Sequence, residues 1–193
     1  MRATLDKLIS WTGLLLAIVL LVAGGLLTWA STFINDQVDQ QLSDQKITMP
    51  TEEALAADEA LSEEDREALR PFAGDVMNTG AEARAYADNF ILAHMNASTG
   101  GETYSTLGGV VREACADPES EACAEANAQR DTAFKGSTLR GLLLYGYAFA
   151  TMGTIAGYAA IAAFIGSAVM FVLALLGFKH ARTAASAESG ARV

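Results

Sequence analysis

The stretch "TLRGLLLYGYAFATMGTIAG", Thr138–Gly157, carries the last charge, Arg140, before a long apolar silence. From Gly141 to Phe178 there are 38 residues without Asp, Glu, Lys or Arg. About 20 apolar residues, rising ~1.5 Å each, suffice to cross the hydrocarbon core of a bilayer. The run therefore predicts a membrane-spanning helix with a surplus, and that surplus has to be placed. A second uncharged run, Leu8–Trp29, covers 22 residues near the other end.

Between the two runs the composition changes sign. Residues 30–140 hold 21 acidic and 8 basic side chains, a net of -13 in a chain whose total is -10. The flanks are basic: Arg2 and Lys7 stand against Asp6, and Lys179, Arg182 and Arg192 against Glu188. Lys and Arg are retained on the cytoplasmic side, so both termini read as cytoplasmic and the acidic middle as outside. Trp11 and Trp29 fall where the two interfaces of a first span would lie.

The expected architecture is all-α, with two antiparallel transmembrane helices extended into an extracytoplasmic helical domain. Its parts are a cytoplasmic N-terminus (1–7), a first span (8–29), an acidic outer domain (30–140), an apolar helix extension packed in that domain (141–157), a second span (158–178) and a cytoplasmic tail (179–193). This describes a multi-pass protein of the cell membrane. A cleaved secretory signal is the alternative for the N-terminus, with Thr28 and Ala30 as small residues at a cleavage point. The apolar run exceeds the roughly 7–15 residues of a signal core, which favours a retained anchor. Folding 141–178 as two short spans would leave no loop and move the basic tail outside.

Export makes a local disulfide the expected state of Cys115 and Cys123, the only two cysteines, with "ADPESEA" between them. Phe33, Ile34, Val38 and Leu42 keep helical spacing beyond Trp29, so the first helix should continue outward and stop before "KITMP". The acidic run from Pro50 to Pro71 reads as solvated helix, with Ser62 and Asp65 at capping spacing. In "TGAEARAYADNFILAHM", Thr79 and Glu82 form a capping box, and Ala83, Tyr86, Ala87, Phe90, Ile91 and His94 share a face. Tyr104, Leu107, Val111 and Ala114 form a shorter stripe. A further helix is expected over 121–134, with a turn at Lys135 and Gly136 and a cap at Ser137 or Thr138. The apolar extension, carrying Leu142, Leu143, Leu144, Tyr145, Tyr147, Phe149 and Met152, must be covered. Tyr86, Phe90, Ile91, Leu143 and Phe149 are therefore the expected core of the outer domain.

Candidate chemistry is sparse. The spans hold no carboxylate, Lys, Arg or His, which argues against an ion or proton path. They do hold small residues at four-residue spacing, Gly153 with Gly157, Ala156 with Ala160 and Ala163 with Ser167, suited to close helix packing. The two histidines, His94 and His180, fall on opposite sides of the expected membrane, so no multi-histidine metal centre forms within one chain. His94 reads as a half-buried, hydrogen-bonded side chain, with a pH-sensitive contact as the sharper alternative. Asp117, Glu119 and Glu121 lack the ligand order of a calcium loop. Ser98, Thr103 and Ser105 have no base at a spacing that would activate them, and "NAS" at Asn96 is a glycosylation pattern only. No catalytic, cofactor or metal site is expected. An acidic outer surface also disfavours nucleic acid. The leading expectation is a non-enzymatic accessory or scaffold protein that presents its acidic domain to another envelope or membrane protein. The alternative is an envelope sensor for a small ligand or cation.

Four segments, "DQKITMP" (44–50), "AYADNFILAHM" (85–95), "GETYS" (101–105) and "TLRGLLLYGYAF" (138–149), resemble a family of uncharacterised two-span membrane proteins of actinobacteria. The likeness covers most of residues 35–178 and implies the same two-span plan, with no established role for any residue. Some members carry the label aromatic ring-opening dioxygenase LigA. Such an enzyme would need an iron site, and the ligands available here lie on opposite faces of the expected membrane.

Overall fold

The computed structural model describes residues 2–190. Arg192, and the side chains of Arg2 and Glu188, lie outside the described residues, so Lys7, Lys179 and Arg182 represent the basic flanks. The chain is all-helical, with no strand among the described residues. In order it forms α1 (Arg2–Ser43), α2 (Glu52–Ala57), α3 (Glu63–Leu69), a 3₁₀ turn (Arg70–Phe72), α4 (Gly80–Ala85), a π-helical segment (Tyr86–Ile91), α5 (Leu92–Thr99), α6 (Tyr104–Ala114) and α7 (Glu121–Gly190). The chain divides into two compact units, Met1–Ile34 with Met152–Val193, and Asn35–Thr151. Both α1 and α7 are long and apolar enough to cross a membrane.

The first unit buries small side chains and exposes large ones. Ser10, Ala17 and Gly24 are buried on α1, and Gly153, Ala160, Ser167, Ala174 and Ala181 on α7. Each series repeats every seven residues, the period that keeps one seam facing a partner helix in a left-handed pair. Close approach follows from size. A methyl group added at Gly24 would meet the Phe164 ring at 2.9 Å, and one at Gly177 would collide with the Ser10 hydroxyl. Among the described residues, two serine hydrogen bonds cross the seam: Ser31 Oγ donates to the Gly153 carbonyl at 2.7 Å, and Ser167 Oγ to the Ala17 carbonyl at 2.7 Å. Of the expected packing residues, Gly153, Ala160 and Ser167 are buried, while Ala156, Gly157 and Ala163 sit at the seam's margin. Leu15, Leu26, Ile165, Val172 and Leu176 are all more than half exposed.

The second unit begins with the last turns of α1, where Val38 and Leu42 bury and a Leu42 methyl lies 3.6 Å from the space beside Gly146 on α7. Lys46, at φ 53, turns the chain out of the helix before "ITMP". The following loop is pinned to residues 75–77: Met49 N–H donates to the Asp75 carbonyl at 2.8 Å and Met77 N–H to that of Ile47 at 2.9 Å. Met49 and Met77 are fully buried, and Leu55, Leu61 and Leu69 are buried with them in the core of this unit. The acidic run folds as two short helices rather than one. Asp58 ends α2 with its carboxylate accepting the Ala60 N–H, and the Ser62–Asp65 capping box restarts the chain as α3. Unpaired N–H groups at each helix start favour such caps by roughly 1 kcal/mol.

Two expectations are corrected. No turn occurs at Lys135 and Gly136, since α7 runs unbroken from Glu121. Gly136 is an internal helical residue covered by Met95, whose sulfur would lie 3.0 Å from an added methyl. Thr138 caps nothing and returns its hydroxyl to the Phe134 carbonyl, while Ser137 Oγ points to Met95 Sδ at 3.6 Å. One glycine costs a helix only about 1 kcal/mol, too little to break it where packing favours continuation. The second correction concerns Phe149, expected in the core and in fact 53% exposed. Leu143, at 3%, does face inward, but Leu142 and Tyr145 are exposed with Phe149. The second unit covers one side of this apolar helix and leaves the other bare.

Candidate functional site

The polar and aromatic groups of the second unit converge on the π-helical segment. Thr79 starts α4 by accepting the Glu82 N–H, and the buried Glu82 carboxylate accepts from the N–H groups of Asn78 and Thr79 at 2.7 and 2.8 Å. Gly80 then permits contact with α7: a methyl there would collide with Ala150 and stand 3.1 Å from the Tyr147 Cα. Beyond Ala85 the helix widens, and the Leu92 N–H reaches back five residues to the Ala87 carbonyl. Such π turns re-aim side chains and are frequent at functional sites.

Around the turn, Tyr86 stacks on Phe90 and His94 lies tilted against it, with ring centroids 4.7 and 4.3 Å apart. Burial pushes the Tyr86 phenol above its ordinary value of 10.0. Asp88 leaves the turn on another side, accepting from Arg140 of α7 at 2.8 Å and lying 3.7 Å from Arg84. Arg84 in turn donates to the Tyr147 hydroxyl at 3.0 Å and lies over its ring. A chain of contacts thus ties α4, the π turn and α5 along α7, ending where Met95 covers Gly136.

His94 closes the arrangement against the acidic arm formed by α2 and α3. Its Nδ1 is 2.8 Å from the Phe90 carbonyl oxygen, and its Nε2 is 3.0 Å from Asp58 Oδ2. Asp58 is held in turn: its backbone carbonyl accepts from Arg66 at 2.8 Å, and the same guanidinium donates to the Leu55 carbonyl at 3.0 Å. Both nitrogens of His94 are therefore engaged. Ser98 gives its hydroxyl to the His94 backbone carbonyl, and Thr103 is occupied in the capping box of α6. Spacing alone could not find the Asp58–His94 pair, because the two residues lie on separate helical segments brought together only by tertiary packing.

The remaining elements are structural. A disulfide joins Cys115, at the end of α6, to Cys123 in the first turn of α7, and Asn127 Nδ2 approaches both sulfurs at 3.4 Å. Tyr104 of α6 accepts from Arg130 at 3.0 Å and meets Phe134. Asp117 turns its carboxylate onto the Glu119 N–H at 3.1 Å. No group of three or more His, Cys, Asp or Glu able to hold a metal occurs among the described residues.

No family model, curated protein or solved structure matches this chain. The four resembling segments stand as resemblance alone. Of the expected core, Tyr86, Phe90 and Ile91 fall within the π turn and are half-buried, Leu143 is buried elsewhere on the same unit, and Phe149 is exposed. What the geometry offers is a disulfide-tied helical platform with an acidic arm clipped to it.

Proposed function

We propose that this chain is a two-span membrane protein with both termini in the cytoplasm, whose extracytoplasmic domain acts without catalysis as a docking platform for another envelope or membrane protein. The observation that carries this reading is the distribution of side chains in the first unit. Leu, Ile, Val and Phe face outward along both long helices while Gly, Ala and Ser fill the seam between them. In water each such exposed side chain forgoes roughly 1.5–3 kcal/mol of burial, whereas in lipid it is already solvated. The order of contacts, Ser10 near Gly177, Ala17 with Ser167 and Ser31 with Gly153, supports an antiparallel pair.

The second unit supports the docking role. Glu52, Glu53, Glu59, Glu63, Glu64 and Glu67 are all exposed on one arm, a surface that suits a basic protein face and repels nucleic acid or anionic lipid. A histidine with both nitrogens engaged and hydroxyls committed to backbone carbonyls favour binding over catalysis. Purification in mild detergent of the wild type and of a Glu63→Lys, Glu64→Lys, Glu67→Lys variant tests the role. A partner retained by the first and lost by the second is expected. The same partner held equally by both, or none held by either, would contradict it.

A further inference from the structure

We infer that His94 is a proton-operated clasp that holds the acidic arm of α2 and α3 against the π turn. This goes beyond the docking role and does not depend on the membrane reading. The inference follows from the two partners of the imidazole, both of which can only accept. A backbone carbonyl has no hydrogen to give, and an ionised carboxylate has none either. At 2.8 Å from the Phe90 oxygen and 3.0 Å from Asp58 Oδ2, both ring nitrogens must carry hydrogen for both contacts to hold.

Neutral imidazole has a single N–H. Placed on Nδ1, it leaves a lone pair on Nε2 facing the carboxylate; placed on Nε2, it sets a lone pair against the carbonyl. Either tautomer makes one contact repulsive, so the geometry is that of the imidazolium. Imidazole is the side chain that exchanges this proton between about pH 5 and 8. The stack on Phe90 fits the same state, because a cation is attracted to an aromatic face.

The surroundings set the sign. From the α2–α3 link the group facing His94 is the Asp58 carboxylate, whose other oxygen is occupied by the Ala60 N–H. From α3, Arg66 addresses the backbone carbonyls of Leu55 and Asp58, with its charge balanced by Glu63 at 3.4 Å. From the π turn, Tyr86 approaches through Phe90 and stays neutral in this range, while Asp88 is turned to Arg84 and Arg140. No charge of the same sign is hydrogen-bonded to the ring. The doubly protonated ring closes the clasp; loss of its second hydrogen loosens the arm, while Leu55, Leu61 and Leu69 keep it packed in the core.

Hydrogen exchange of the full chain in detergent or nanodiscs, at pH 5.5 and 7.5 and corrected for intrinsic exchange rates, reads the arm directly. Both partners are partly exposed, so the effect is modest: protection of residues 52–69 should fall about three- to fivefold over the interval. His94→Gln and Asp58→Asn should each abolish that dependence, and His180→Gln should keep it. Asp58→Asn tests the clasp even if replacing His94 disturbs the aromatic stack. A wild-type arm with the same protection at both pH values, or an Asp58→Asn arm that keeps the full dependence, would overturn the inference.

Discussion

Adding one methyl group at each of two helical glycines should change stability in opposite directions. Gly80 opens α4 directly against α7, where an added Cβ would collide with that of Ala150 and lie 3.1 Å from the Tyr147 Cα. Both obstacles are fixed to the α7 backbone, so no side-chain rotation relieves them. Overpacking of this kind costs about 1–3 kcal/mol, and the helix-propensity gain of Ala over Gly recovers at most about 1. Gly80→Ala should therefore destabilise the platform by roughly 1–2 kcal/mol. At Gly109, in α6, nothing lies within 4 Å of an added methyl. Gly109→Ala should gain about 0.4–1 kcal/mol, because only the unfolded chain loses freedom. Hydrogen exchange on the full chain separates the two. Opening of residues 80–99 should rise about tenfold in the first variant, since ~1.4 kcal/mol is a factor of ten. Opening of residues 104–114 should fall about threefold in the second. Wild-type exchange over 80–99 in Gly80→Ala would mean that α4 does not approach α7 as described.

Leu143→Asp should unfold the platform while leaving membrane insertion intact, because an unpaired carboxylate replaces a side chain that is 3% exposed. Phe149→Asp, on the bare side of the same helix, should leave exchange protection unchanged; equal disruption by both would refute the assigned faces. Alkylation of non-reduced protein should find Cys115 and Cys123 blocked until reductant is added, and reduction should cost about 2–3 kcal/mol on the chain-entropy model. Free thiols in protein from the native membrane would remove the tie between α6 and α7. Burial raises the Tyr86 phenol above 10.0 by disfavouring its anion, so the stability it lends is complete below that pH and is lost as pH rises through the raised value. Spectrophotometric titration should show one tyrosine ionising last, and Tyr86→Phe should remove it; an unchanged late phase would reassign the group.

Local chemistry made much of this fold legible. The Thr79–Glu82 and Ser62–Asp65 boxes, the end of α1 before Pro50 and the Cys115–Cys123 bridge each depend on residues a few positions apart. What depends on distant neighbours was not legible. Gly136 looks like a break until Met95 covers it, and the π turn has no residue code of its own. In an extension as apolar as 141–152, no charged residue marks which side faces inward, so Phe149 could not be told from Leu143. One feature was present in the sequence at a different spacing. Ser10, Ala17, Gly24 and Ser31, and Gly153, Ala160, Ser167, Ala174 and Ala181, recur every seven residues, whereas four-residue pairs pick out Gly153, Ala160 and Ser167 together with neighbours at the margin. The Asp58–His94 contact joins residues whose meeting depends on the break between α2 and α3, and nothing in either residue's neighbourhood announces the other.

The central claim is that α1 and α7 cross a membrane with residues 35–151 on the outer side. Single cysteines at Leu5, Asp75 and Arg182, in a chain with Cys115 and Cys123 replaced by Ser, report the side on which each position lies. In intact cells an impermeant maleimide should label Asp75→Cys alone, and Leu5→Cys and Arg182→Cys should react only after permeabilisation. Labelling of Arg182→Cys in intact cells, or protection of Asp75→Cys until the membrane is opened, would contradict the account.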